Sequence, residues 1–143
     1  MTDLTDDEHA YLAAVFDAAR QGDTTVVARA LERGVPANLT NATGDSLLIL
    51  AAYHEQVDTV RFLLAHGADP DRVNDQGQTA LAAAAFRRCG DGVVALLDAG
   101  PDPRHGPRSA QQVVAFFGLD DMAELLDREP APDPDGGSAD LTS

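Results

Sequence analysis

The sequence predicts an all-α solenoid of about four helix-turn-helix repeats joined by short hairpin loops. Three observations carry that prediction. First, Gly34, Gly67 and Gly100 recur every 33 residues, and so do Leu31, Leu64 and Leu97, and Val27, Val60 and Val93. Second, each glycine sits in nearly the same phrase: ALERGVPAN, LLAHGADPD and LLDAGPDPR. Third, the chain is 44% hydrophobic but only 5% aromatic, with no Trp, so alanine supplies much of the apolar share and small, closely packed helices suit it.

The first helix starts at Thr5-Asp6-Asp7-Glu8, a hydroxyl and a Glu three residues apart that can cap it reciprocally. It runs through Ala10, Leu12, Val15 and Ala18, and Gly22-Asp23 breaks it. A second helix follows from about Thr24 to Arg33. In the next period Ser46 caps a short apolar helix of Leu47, Leu48, Leu50, Ala51 and Ala52. Glu55-Gln56 breaks the chain again. Val57, Val60, Leu63 and Leu64 then fall on one helical face. Gly67 lies just past that helix, where a positive φ closes off the last carbonyls. Pro70 cannot continue it. The third period repeats this plan from Gly77 to Gly100.

The fourth period is shorter. Leu125-Leu126 comes 29 residues after Leu96-Leu97, and the connection from Asp102 to Gly106 is four residues shorter than that from Asp69 to Gly77. On that reading the loop lost its tip, Val113-Val114 takes the place of Ala84-Ala85, and the groove is shortened at its C-terminal end. The expected repeats are about 5–38, 39–71, 72–104 and 105–129, the outer two acting as caps. Residues 130–143 are proline-rich, acidic and almost free of apolar side chains, so a disordered acidic tail is expected there. Met1 and the atypical outer repeats suggest a complete small protein.

The repeats resemble the ankyrin repeat family. Its Gly-x-Thr-Pro-Leu-His-x-Ala-Ala opening is similar to GDSLLILAA, Gly44 to Ala52, and GQTALAAAA, Gly77 to Ala85. Its Leu-Leu ending and Gly-Ala-Asp match LLAHGAD, Leu63 to Asp69. The family's Pro is replaced by Leu47 and Ala80, and its His by Ile49 and Ala82. The resemblance covers residues 5–129 and implies a fold that binds proteins without catalysis.

The formal net charge is -14, from 24 acidic residues against ten basic ones, all of them Arg. That balance disfavours nucleic acid and anionic membranes, whose phosphates require a cationic footprint. A single cysteine, Cys89, allows no internal disulfide. No apolar run approaches a membrane span and the acidic start is no signal peptide. A cytoplasmic protein, monomeric when free, is the expectation.

Little in the chain suggests chemistry. His9, His54, His66 and His105 form no metal-ligand spacing, and no phosphate-binding loop or nucleophile elbow occurs. Neither an enzyme nor a cofactor is expected. What remains is a surface. The resemblance places partner contacts at the first-helix ends, here Arg20, Tyr53, His54, Phe86, Arg87 and Phe116. It places others on the hairpins, at Asp75, Gln76, Gln78, Arg104 and His105. Tyr53→Ala with Arg87→Ala is then expected to abolish partner capture at a nearly unchanged thermal midpoint. Two other readings compete: an inhibitory or regulatory protein forming a stoichiometric complex with one enzyme, and a thiol-based redox- or metal-responsive protein using Cys89 beside Arg88.

Overall fold

The computed structural model describes residues 5–127; the tail expected over 130–143 lies outside them. Eight helices run in order among the described residues: α1 (Asp6–Gln21), α2 (Thr24–Glu32), α3 (Leu47–Tyr53), α4 (Val57–Ala65), α5 (Ala80–Phe86), α6 (Gly90–Asp98), α7 (Ala110–Phe117) and α8 (Asp120–Leu126). Among the described residues extended pairing is limited to isolated bridges, Thr40 with Ser46 and Gln78 with Arg108. The fold is therefore an all-α repeat solenoid.

The odd-numbered helices pack side by side in one layer and the even-numbered ones in a second, with each helix pair closing across the layers. The core sits between the layers. Val27, Val60 and Val93 are buried there, as are Leu63 and Leu96. The two inner helices of the odd layer are flanked on both sides, so they are apolar all round. Every residue from Leu47 to Ala52 and from Ala80 to Ala85 is buried. At α5 that layer consists of alanine except for Leu81, and the small side chains leave room for α3, α6 and α7 around it.

Two of the odd helices start on caps the sequence promised, at Thr5 and Ser46, and the other two on Thr79 and Ser109, which it had not marked. Thr5 and Glu8 form both halves of a capping box, Ser46 and Thr79 accept from Ile49 and Ala82 N–H, and Ser109 and Gln112 form a second box. Thr59 was not foreseen as core; it is buried, and its hydroxyl bonds that of Thr24 across α2 and α4 (2.7 Å).

The backbone corrects the register of the fourth repeat. The turn between each helix pair holds one residue at positive φ: Gly22, Glu55, Arg88 and Gly118. The intervals are 33, 33 and 30. The N-caps Ser46, Thr79 and Ser109 step by 33 and 30 as well. The offset is thus 30 rather than the 29 expected from the leucines. The loop did lose four residues, but Gly106 and Ser109 enclose two residues where Gly77 and Thr79 enclose one. Leu126, buried, therefore takes the place of Leu63 and Leu96. Val113-Val114 stands where Ala83-Ala84 does, not Ala84-Ala85. Phe116 is the counterpart of Tyr53 and Phe86.

Candidate functional site

Two hairpins are built around an Asn. The Asn41 Oδ1 accepts N–H bonds from Thr43 (3.0 Å) and Asp45 (2.9 Å). One repeat later Asn74 Oδ1 accepts from Gln76 (3.0 Å) and Gln78 (2.9 Å). Such side-chain-to-backbone bonds shape the tip locally. The Asp75 N–H donates to Thr43 O, and Asn74 Nδ2 donates to Asp45, so each tip is tied to the next. The third connection keeps only its entry. Arg104 N–H donates to Asp102 Oδ1 (2.9 Å) as Asp71 N–H does to Asp69 (2.9 Å), and the Asn-centred tip is missing.

Below the tips lies a cavity of about 820 Å³. Its hairpin rim is Asn41, Thr43, Asp45, Asn74, Gln76, Gln78 and Arg108. Its wall is the side of the odd helices that faces the hairpins, including Arg20, Ile49, Leu50, Tyr53, His54, Phe86, Gln112, Val113, Phe116 and Phe117. A ladder of rings crosses three repeats. Tyr53 stacks on Phe86 (centroids 6.3 Å, planes 10° apart). Phe86 meets Phe117 edge to face (5.3 Å), and Phe117 meets Phe116 the same way (4.9 Å). The rings stay open to water, increasingly toward the C-terminal end: Tyr53 is 39% exposed, Phe86 42%, Phe117 53% and Phe116 83%. Phe116 is therefore a surface ring, whereas Phe86 is both exposed and packed between repeats, against Tyr53 and Phe117.

Of the expected contact residues, Arg20, Tyr53, His54, Gln76, Gln78, Phe86 and Phe116 come together around this cavity. Asp75, Arg87, Arg104 and His105 do not line it. Arg87 pairs with Glu55 (3.0 Å) and lies over the Tyr53 ring (4.9 Å to the centroid), so it clamps one repeat to the next. The His105 Nε2–H donates to Asp71 O (2.8 Å) and fastens the shortened loop. Phe117 and Arg108 were missed because the one-residue register error moved them off the expected face; Gln112 and Val113, like Ile49 and Leu50, stand at mid-helix positions that were read as core. The S-x-x-Q pattern of Ser109 and Gln112 could have fixed the helix start.

Elsewhere the structure is quiet chemically. Cys89 is half-buried at the start of α6, and the neighbouring Arg88 guanidinium is engaged by Asp121 (2.7 Å). That hydrogen bond, chiefly, holds the Asp121 carboxyl below its ordinary range. No group of three or more His, Cys, Asp or Glu able to hold a metal occurs among the described residues, and no helix among them is long and apolar enough to cross a membrane.

Comparison with known proteins bears on this arrangement. The family model for ankyrin repeats, in three copies, matches residues 15–106. A 51-residue stretch is 49% identical to a protein of Pseudomonas aeruginosa described as an ankyrin repeat protein. The match takes 36% of this chain and 30% of the relative, so it spans under a third of that protein's length.

Proposed function

The chain belongs to the ankyrin repeat family, and on that premise we propose that it binds another protein, without catalysis, through the cavity under its hairpins. Ankyrin repeats generally mediate protein–protein interaction. The observation that carries the reading is the ladder from Tyr53 to Phe116. Exposed aromatic rings that touch one another across repeats lose ordered water on binding and add little conformational entropy cost. The same proposal keeps the four repeats at about 5–38, 39–71, 72–104 and 105–129. It takes the free chain to be a cytoplasmic monomer, which the single cysteine and the mutual repulsion of acidic copies support.

The test is capture from an extract of the source cells on immobilised full-length chain, with proteins identified by mass spectrometry. Phe86→Ala with Phe116→Ala is a cleaner probe than Tyr53→Ala with Arg87→Ala, because Arg87 holds Glu55 of the preceding repeat. The partner retained by the unaltered chain should be lost, while the thermal midpoint moves by no more than a few degrees. Retention of the same partner by the double variant refutes the assigned face.

A further inference from the structure

Resting on that face as the binding surface, we propose that its occupant is an extended partner segment bearing an apolar side chain and, two to four residues away, a carboxylate that Arg108 receives. Most arginines here are engaged. Arg20 pairs with Asp17 (2.6 Å), Arg87 with Glu55 and Arg88 with Asp121. Arg108 is exposed on the cavity rim and makes no ion pair or side-chain hydrogen bond among the described residues. Asp45, the one acid among the residues lining the cavity, is engaged elsewhere and makes no ion pair with it. Asp45 accepts from Asn74 Nδ2 (2.8 Å) and from Thr43 Oγ1 (2.9 Å). A chain of net charge -14 thus presents, on the rim of the cavity that the rings also line, a guanidinium with no ion pair among the described residues. A planar guanidinium matches a carboxylate with two parallel hydrogen bonds.

The geometry also sets the spacing. The Arg108 N–H donates to Gly77 O (3.0 Å) and Ser109 caps α7, so the base of the side chain is fixed. Phe116 lies eight residues on, six of those steps within α7 and about 9 Å along its axis, with Arg108 and Ser109 extended ahead of the helix. An extended peptide covers that in about four residues, and the long arginine side chain shortens the gap.

Random 12-residue peptides displayed on phage, selected on the full chain, test this. Selected peptides are then measured by fluorescence anisotropy against the unaltered chain, Arg108→Gln, Arg108→Glu and Phe116→Ala, each checked for helicity by circular dichroism. The expected peptides carry Asp or Glu two to four positions from an aromatic or Leu. Arg108→Gln should weaken them about tenfold or more and Arg108→Glu further, with a loss of salt dependence. If Phe116→Ala weakens binding but Arg108→Gln changes it less than twofold, the carboxylate assignment falls and the binding face stands. If neither variant matters, or no peptide is selected, both fall. Arg108-dependent displacement by a synthetic peptide of residues 128–143 would overturn the proposal in favour of the chain's own C-terminal segment.

Discussion

Gly44 and Gly67 both hold positive φ, at +79° and +93°, yet they are not equivalent. A Cβ at Gly67 would meet nothing within 4 Å, whereas at Gly44 it would stand 2.9 Å from the Asp75 backbone nitrogen. Gly67→Ala should therefore cost about 1 kcal/mol, the conformational penalty alone. Gly44→Ala should cost about 3 kcal/mol, because the Asn-centred tips must also part. Urea midpoints of the two variants check the order, and equal losses would refute it. Gly67 was legible in the sequence because glycine after a Leu-Leu helix end has one ordinary use. Glu55 and Arg88 were not. They occupy the same left-handed turn position as Gly22 and Gly118, and nothing in a charged residue announces that conformation.

At the scale of the element, α5 is the most constrained. Its six buried residues include five alanines, and it is packed against α3, α6 and α7. Ala84→Leu adds three carbons to a fully buried position and should destabilise by about 1–3 kcal/mol, or more if the helix layer cannot spread. A thermal midpoint unchanged by that substitution would mean the layer is looser than its packing implies. Helix α7 shows where sequence reasoning slipped. Leucine pairs mark outer helices well only while the loop length holds. The loss of four residues before Gly106 was offset by one only after it, and Leu125-Leu126 then matched the wrong pair. Capping residues are better markers, because hydrogen-bond geometry ties them to the first turn. The error cost little for the fold but moved Phe117 and Arg108 off the expected face.

Across the whole molecule, repeats are joined by small polar contacts laid over a continuous apolar core. Arg87 with Glu55 and Arg88 with Asp121 link neighbouring repeats at the same turn. The Asp121 carboxyl is held below its ordinary range, so its contribution is complete above about pH 4 and is lost as the pH falls through the lowered value. Asp121→Asn should therefore narrow the stability difference between pH 7 and pH 3, read from urea midpoints at each pH. An unchanged difference would show that the pair is not formed in solution. The periodicity of glycine, valine and leucine made the array readable because a solenoid repeats its packing problem. The binding face was only partly readable, since which rings meet depends on the relative placement of separate repeats.

The ring ladder has an optical consequence. The chain has no Trp and two tyrosines, Tyr11 and Tyr53. Tyr11 lies on α1, with the Arg33 guanidinium near its ring (5.9 Å). Tyr53 is part of the ladder, between Phe86 and the Arg87 guanidinium. A Tyr11→Phe variant would therefore emit from the cavity alone. Its phenol fluorescence would report occupancy directly, with no dye attached and no partner labelled.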